Sequence, residues 1–445
     1  MSRKTISSSK KKVVGIIFSV GFLLTFTLLM ISPILPNFFG KIWDDKVVRD
    51  AHTSIEEIRK GTIRIQFKNS TGDLLTNASV NLTLDKHEFL FGAMFFHYDE
   101  TEPLNDLYAS MWTDVFNFGI LPFYYAAWEN ATFYPQEARI NSSIAYLKTH
   151  NITTKGHCIV WNHEAGIPEF VPIENMTKQE IIDHYNNRIT TLTQKYRHNI
   201  SYWDVTNEML HRGFPKMENT EDYVHECFTT ARTAVPSNKL IFNDYGMLGH
   251  SFGTGEMESF LARLNERGTQ YDIIGMQDHL MDTDWTPMYE IKGSLDGFSK
   301  LGKPIHITEI MVPSTAAPIT NSWKKGLWSE ENQAEFLEKF YTTAFANPAC
   351  EALMYWGFKD RKTDHSRYDG YGLVNWDMSP KPAYNILKYL IKEKWHTKST
   401  NSVTDTNGWV EFEGYYGTYN LTINSQDFQI VSGKNLNNEF IVQLA

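Results

Sequence analysis

The sequence predicts a (β/α)8 barrel of the TIM-barrel type, with a small β extension before it and a small β module after it. Three observations predict this fold class. Eight short apolar runs typical of buried strands recur between residues 88 and 358, and a helix-like segment follows each run. No glycine-rich phosphate loop opens a helix after the first run, which disfavours an open doubly wound sheet. The 445 residues also suffice for one large core, since such a barrel commonly takes ~250 residues or more.

The predicted barrel strands share a high content of apolar, β-branched and aromatic residues. They lie at Glu88–Phe96, Phe118–Tyr125, Thr153–Asn162, Ser201–Glu208, Lys239–Tyr245, Tyr271–Leu280, Pro304–Met311 and Cys350–Phe358. The clearest helix is Lys178–Arg197, in which apolar residues recur at helical spacing. Further helices are predicted at Glu331–Ala346 and at Lys381–Lys394, where Pro382 stands in the first turn.

The first residues predict a membrane anchor. Lys10-Lys11-Lys12 precedes an uncharged, mostly apolar run from Val13 to Leu35, which is long enough to cross a hydrocarbon core as a helix. Because the basic residues precede the run and Asp44-Asp45 follow it, residues 1–36 are predicted to be a cytoplasmic tail with a signal anchor, and the rest of the chain to lie outside the cell or in a lumen. The rival interpretation is a cleaved signal peptide and secretion, although no Ala-x-Ala site follows the run.

The remaining segments are assigned by changes of pattern. Residues 37–60 are predicted to form a charged stalk with helical character, and residues 61–86 alternate as strands around a Gly72-Asp73 turn. The barrel takes residues 87–395, and residues 396–445 form the C-terminal β module. This module could bind sugar, face a partner or pack on the barrel, and packing is the default because so small a module needs a surface to bury against.

Composition excludes several classes of protein. The net charge of −10 argues against nucleic acid as a partner, because phosphate binding needs clustered Lys and Arg. Three cysteines without metal-like spacing indicate neither a disulfide framework nor a metal site, and we expect no cofactor. Nine Asn-x-Ser/Thr sequences support an exported glycoprotein: Asn69, Asn77, Asn81, Asn130, Asn141, Asn151, Asn175, Asn199 and Asn420.

Two glutamates stand at the ends of predicted strands. Glu208 follows Asn207 near the end of the heptapeptide Trp203–Met209, and Glu309 stands near the end of Ile305–Ile310. These are the fourth and seventh strands of the barrel, so both side chains should converge at its mouth, where barrel active sites lie. A pair of carboxylates there could serve as nucleophile and as general acid, then base, in glycosidic cleavage with retention. A solvated loop position would explain either glutamate taken alone.

The two motifs resemble the signatures of glycoside hydrolase family 10, the retaining xylanase-type enzymes. Further matches cover residues 85–395 in the order of that family. They are Gly156-His157-Cys158-Ile159-Val160-Trp161, Asn243-Asp244-Tyr245, Gly275-Met276-Gln277-Asp278-His279-Leu280, Tyr355-Trp356-Gly357 and Pro380-Lys381-Pro382-Ala383-Tyr384.

The resemblance implies a role for each matched residue. Glu208 is expected to be the acid/base and Glu309 the nucleophile. The substrate-binding residues that it implies are Asn207 on the sugar 2-hydroxyl, His157, Gln277 and His279 around the same sugar, Trp161 and Trp356 as walls, and Tyr245. A retaining hydrolase of this kind needs no metal.

The match fails at three places. Where the family usually has Pro-Glu-Asn-x-Met-Lys-Trp, this chain has Pro122-Phe123-Tyr124-Tyr125-Ala126-Ala127-Trp128, so two polar donors are replaced by an aromatic ring and a methyl group. Ile310-Met311 replaces the usual Leu-Asp, whose Asp supports the site histidine, so His157 should be held differently. Asn162 stands where a His usually follows the Trp. The identity of the sugar is therefore open.

These observations predict a membrane-anchored, monomeric retaining endo-β-glycanase that acts on an extracellular polysaccharide with xylan-like or related β-1,4 linkages. One alternative is a carbohydrate-binding surface protein that kept the barrel and lost turnover. Another is a retaining hydrolase of a different family in the same clan, in which the Asn-Glu pair is also common.

Overall fold

A computed structural model of the chain describes residues 34–98, 103–128, 136–213, 217–249, 254–280, 284–361, 370–398 and 400–445. The strands are β1 (Lys60–Lys68), β2 (Ser79–His87), β3 (Leu90–Met94), β4 (Phe118–Pro122), β5 (Thr153–His157), β6 (Val160–Trp161), β7 (Tyr202–Asn207), β8 (Lys239–Asp244), β9 (Ile273–His279), β10 (Ile305–Met311), β11 (Cys350–Tyr355), β12 (Thr400–Val403), β13 (Trp409–Tyr415), β14 (Gly417–Ile423), β15 (Gln426–Val431) and β16 (Glu439–Gln443). The α-helices are α1 (Ile34–Ile58), α2 (Asn105–Thr113), α3 (Tyr125–Trp128), α4 (Gln136–Thr149), α5 (Lys178–Tyr196), α6 (Thr220–Ala234), α7 (Thr254–Glu266), α8 (Met288–Ser299), α9 (Glu330–Phe345) and α10 (Pro382–Tyr389).

The predicted (β/α)8 barrel is confirmed. Parallel strands follow the order β5-β4-β3-β11-β10-β9-β8-β7, and pairing of β5 with β7 closes the sheet. The short strand β6 adds a further parallel pairing to β7. Each of the eight apolar runs predicted from the sequence contains one barrel strand. β10 is buried at all seven positions, as expected for a parallel strand covered on both faces.

The helix predicted at Lys178–Arg197 shows why the helical segments form. α5 begins after Thr177, whose hydroxyl accepts a hydrogen bond from the Glu180 backbone while the Glu180 carboxylate accepts one from the Thr177 backbone. Its buried apolar residues are Ile181, Tyr185, Ile189, Leu192 and Tyr196, spaced three or four positions apart. The stripe packs on the barrel, and this burial provides most of the stability of the helix.

The N-terminal helix α1 lies against α8 and α9 on the outside of the barrel. Asp44 is buried in this contact and accepts a hydrogen bond from Trp323 Nε1 at 2.6 Å. The predicted anchor segment lies outside the described residues, apart from its last two residues, with which α1 begins. Among the helices that the structure describes, none combines the length and the apolar character needed to cross a membrane.

Strands from the two ends of the chain form one β unit beneath the barrel. β1 pairs between β13 and β16, and β2 pairs between β12 and β14, which is followed by β15. Apolar residues alternate along β1 in the sequence, and burial follows the same alternation, since Ile63, Ile65 and Phe67 are fully buried. The segments before and after the barrel sequence are thus partners of each other, a pairing that was not anticipated from the sequence.

Arg59, between α1 and β1, ties this unit to the barrel. Its guanidinium donates hydrogen bonds to the carbonyl oxygens of Phe345, Asn347 and Cys350, each at 2.7 Å. The same group lies over the ring of Phe89 at 4.7 Å. The position of the first β strand relative to the barrel is therefore fixed by buried polar contacts as well as by apolar packing.

Candidate active site

Glu208 follows the last residue of β7 at the mouth of the barrel. Its backbone has a φ of +55°, in the left-handed region that non-glycine residues seldom occupy, and its N–H donates to the Asn243 carbonyl at 2.9 Å. The Glu208 Oε2 atom accepts a hydrogen bond from Trp161 Nε1 at 3.0 Å and lies 2.9 Å from Arg212 Nε. The side chain keeps 13% of its surface exposed, so one side of the carboxylate faces the cleft.

Glu309 lies on β10 and is almost fully buried. Its Oε1 atom accepts a hydrogen bond from Asn243 Nδ2 at 2.9 Å, and its Oε2 atom is 2.9 Å from His279 Nε2. His157 Nδ1 lies 3.7 Å from Oε1. Donors thus surround both carboxylate oxygens, which favours the ionised form.

An amide network joins the two glutamate-bearing strands. Asn243 Nδ2 donates to Asn207 Oδ1 at 2.7 Å as well as to Glu309, and Gln277 Nε2 donates to Asn207 Oδ1 at 3.1 Å. Thr308 Oγ1 donates to Asn243 Oδ1, which sets the orientation of that amide. Because Asn207 Oδ1 accepts twice from protein groups, the Asn207 NH2 group is the part of the amide left to meet a ligand.

His157, at the end of β5, is held by Asp204. Its Nδ1 atom is 2.7 Å from Asp204 Oδ2, and Lys155 Nζ lies 2.7 Å from the same oxygen. The Lys155 and Asp204 side chains are fully buried inside the barrel. In this chain His157 is therefore supported by Asp204 from the neighbouring strand.

Aromatic rings enclose the glutamates. Trp356, after β11, has its ring centroid 5.0 Å from that of His157 and 6.0 Å from that of His279. Tyr124 lies 5.9 Å from Trp161, at an angle of 34°. Tyr245, after β8, stacks on His211 at 3.9 Å. Flat apolar faces of this kind suit the faces of sugar rings.

The two glutamates have opposite pKa shifts. Burial and the nearby Glu309 carboxylate raise the pKa of Glu208, and the Trp161 hydrogen bond and Arg212 only partly offset this. Burial also opposes ionisation of Glu309, but His157 and the hydrogen bond with His279 outweigh it and lower the pKa of Glu309. One group is therefore suited to hold a proton at the pH at which the other is an anion.

All nine site residues predicted from the sequence lie at this end of the barrel: Glu208, Glu309, Asn207, His157, Trp161, Gln277, His279, Trp356 and Tyr245. Sequence reasoning assigned no site role to Asn243, Thr308, Asp204, Lys155 or Arg212. Asn243 and Asp204 stand inside motifs quoted above, and Lys155 is a charge within an apolar strand, so a signal existed for these three. Arg212 lies beyond its strand, in a turn without a recognisable pattern.

Comparison with known proteins finds a matching family model and similar proteins. The family model described as Glycosyl hydrolase family 10 matches residues 128–389. The chain is 29% identical over 408 residues to the anti-sigma-I factor RsgI6 of Acetivibrio thermocellus, with 88% of this chain and 48% of that protein covered. It is 28% identical over 386 residues to endo-1,4-beta-xylanase 2 of Arabidopsis thaliana, with 84% of this chain and 33% of that protein covered. The chain thus spans less than half the length of either relative.

Solved structures share the fold. Native xylanase 10B from Thermotoga maritima superposes with a TM-score of 0.59 at 22% identity, over 69% of this chain and 96% of that chain. Xylanase 10B from Thermotoga petrophila, in complex with xylobiose, gives a TM-score of 0.58 at 22% identity, over 69% and 95%.

Proposed function

Since this chain belongs to glycosyl hydrolase family 10, we propose that it is a retaining glycoside hydrolase that uses Glu208 and Glu309 in a double displacement. The observation that supports this assignment is the opposite shift of the two pKa values, raised at Glu208 and lowered at Glu309. An acid must hold its proton and a nucleophile must be ionised at the same pH, and these two environments favour those states. The family match also contradicts the alternative of a different family in the same clan.

In the first step, a Glu309 carboxylate oxygen bonds to the anomeric carbon while the glycosidic bond breaks and Glu208 gives its proton to the leaving oxygen. The product is a glycosyl ester on Glu309. In the second step, Glu208 takes a proton from water, whose oxygen attacks the anomeric carbon and releases Glu309 as a carboxylate. The Asn207 NH2 group would donate to the sugar 2-hydroxyl, a contact that strengthens in the oxocarbenium-like transition state.

The proposed substrate is a polysaccharide with β-1,4 linkages, xylan-like or related, cleaved at internal positions. The relatives named endo-1,4-beta-xylanase and the aromatic wall that Trp356 forms beside His157 support this choice. The replacement of two polar donors at Tyr124 and Ala127 leaves the sugar itself to be determined. A screen of β-1,4-xylan, mixed-linkage glucan and mannan for reducing ends released would determine it.

We further propose that residues 13–35 anchor the chain in a membrane, with the barrel on the extracellular or lumenal side. This proposal rests on the uncharged run itself and on the charges around it, with Lys10-Lys11-Lys12 before the run and Asp44-Asp45 after it. Full-length chain should resist alkaline carbonate extraction from membranes, whereas a chain starting at Ile34 should be released. If the mature protein proves to lack residues 1–33, the alternative of secretion after signal cleavage is correct.

Activity should depend on both glutamates. Glu309→Ala and Glu208→Ala should each abolish hydrolysis of an aryl β-xyloside or β-glucoside that the unmodified protein cleaves, while the exposed Glu266→Ala serves as the matched control. A 2-deoxy-2-fluoro glycoside should leave a covalent sugar on Glu309, found by mass spectrometry of peptides. Unchanged hydrolysis by Glu309→Ala would refute the assignment. Sugar binding without any turnover would instead favour a carbohydrate-binding surface protein.

A further inference from the structure

A separate cavity lies at the barrel mouth next to the glutamate pair. It has a volume of about 170 Å³, and Phe96, Tyr124 and Trp356 supply its aromatic wall. Trp356 stands between this cavity and the two histidines that contact Glu309. In the closed order of strands, β11 and β3 lie across the mouth from β7, the strand that leads to Glu208. The cavity is therefore on the side away from the proposed acid/base, where the sugar that stays bonded to Glu309 would extend.

The charged side chains in the described lining of the cavity are basic. Of the described residues that line it, three are basic, His97, Lys359 and Arg361, and none is acidic, in a protein with a net charge of −10. Burial lowers the pKa of His97 to about 4, and the charged groups that act on it, Arg361, Arg139 and Lys359, all lower it further. Burial thus disfavours the charged form of His97, which leaves Lys359 and Arg361 as the cations of the described lining.

The backbone of Lys359 is held in place, and no acidic side chain among the described residues pairs with its ammonium. Its backbone forms a bridge with Val374, and the next residue, Asp360, donates its N–H to the Val374 carbonyl at 3.0 Å. The Asp360 carboxylate is engaged elsewhere, by Lys381 Nζ at 2.5 Å and the Gly372 N–H at 2.6 Å. Within the described parts of the chain, the Lys359 ammonium makes no ion pair or hydrogen bond. A half-buried cation of this kind on a fixed backbone is suited to binding an anion.

We propose that this cavity binds an anionic substituent, the carboxylate of a uronic acid or a sulfate ester, on the glycone side of the substrate through Lys359 and Arg361. The aromatic wall offers a face for the sugar ring, and the two cations offer donors for the oxyanion. The term glycone rests on the proposed function, whereas the charge and the lining of the cavity do not depend on it.

Binding should be measured in the Glu309→Gln variant, so that turnover does not interfere. Calorimetry would compare neutral β-1,4-xylotriose with the same trisaccharide carrying a glucuronic acid branch, and with a sulfated xylotriose. At least one anionic sugar should bind about tenfold more tightly than the neutral one, as one hydrogen bond to a charged group provides. This preference should weaken as ionic strength rises. The anionic sugar that shows the preference identifies the substituent.

Substitutions of Lys359 in the Glu309→Gln variant then test whether this lysine provides the preference for the anionic sugar. Lys359→Gln should remove the preference and Lys359→Arg should keep it, while the exposed Lys300→Gln should leave it unchanged. Three outcomes would overturn the proposal. The neutral and anionic sugars could bind equally tightly, or none of the three sugars could bind. Lys359→Gln could also weaken the binding of all three sugars by the same factor. If Glu309→Ala retains hydrolysis while the Lys359-dependent preference persists, only the proposed catalytic assignment fails.

Discussion

Arg212 Nε lies 2.9 Å from Glu208 Oε2, the same oxygen that accepts the Trp161 hydrogen bond. The arginine follows the glutamate by four residues, and its own N–H donates to the Glu208 carbonyl at 2.7 Å. A cation therefore lies beside the proposed acid/base. Burial and Glu309 raise the pKa of Glu208, and Arg212 opposes this rise. Because the Arg212 side chain is 46% exposed, the pair is accessible to solvent and to a ligand that enters the cleft.

Replacing Arg212 should move the alkaline limb of the activity profile. Arg212 lowers the pKa of Glu208, so Arg212→Met should raise that pKa and keep Glu208 protonated to higher pH. The measurement is kcat/KM against pH, whose descending limb should shift upward. Arg267→Met is the control, because Arg267 pairs with Asp222 at comparable exposure and far from the site. A limb that stays in place or moves to lower pH would contradict the assignment of Glu208.

His279 should control the ascending, acidic limb of the profile of kcat/KM against pH. Its hydrogen bond to Glu309 Oε2 lowers the pKa of Glu309, so His279→Leu should raise that pKa and shift the ascending limb to higher pH. Loss of a hydrogen bond to a charged group should also reduce kcat by roughly 10- to 100-fold. The exposed His198→Leu should change neither quantity. A fall in kcat with no movement of the ascending limb would mean that His279 acts on the substrate and not on Glu309.

Asn243 should be needed for turnover, although it need not touch the sugar. Asn243→Ala removes the donor that positions both Asn207 and Glu309, so we expect kcat to fall by about a hundredfold, the effect of misplacing reacting groups by about 1 Å. Thr308→Val should cause a smaller loss, since it removes only the group that orients the Asn243 amide. Steady-state kinetics with thermal melting would separate misplacement from unfolding. Equal kcat in all three proteins would refute the positioning role.

Asp204 should stabilise the fold in a pH-dependent way. Burial opposes its ionisation, but Lys155 and His157 outweigh this and lower its pKa. A carboxyl with a lowered folded pKa stabilises the protein above its unfolded value of ~3.9, and that contribution disappears as pH falls through the folded value. Asp204→Asn leaves Lys155 buried without a partner and should lower the free energy of unfolding near neutral pH by about 3–5 kcal/mol.

Two measurements check the Asp204 prediction. Urea unfolding at several pH values should show that the difference between the unmodified protein and Asp204→Asn shrinks toward acid pH. The double variant Lys155→Met with Asp204→Leu should regain part of the loss, because an apolar pair leaves no buried charge unpaired. A loss that is independent of pH would show that packing, not charge, is responsible.

The strand pattern and the main site residues could be predicted from the sequence. Parallel barrel strands are buried on both faces, so runs such as Phe118–Pro122 are apolar throughout and stand out from the amphipathic helices between them. The carboxyl ends of such strands meet at one mouth, which is why the sequence alone predicts that Glu208 and Glu309 lie close together.

The partners of those residues required the tertiary structure. Alternation along β1 shows which face is buried, but β1 pairs with β13 and β16, more than 300 residues later, because only folding brings them side by side. In the same way, Asp204 meets Lys155 and His157, and Asn243 meets Asn207 and Glu309, across neighbouring strands of the closed barrel. Local residue order determines which elements form and which face is apolar. Contacts between residues distant in sequence depend on how those elements close on each other, and these contacts set the opposite pKa shifts of the two glutamates.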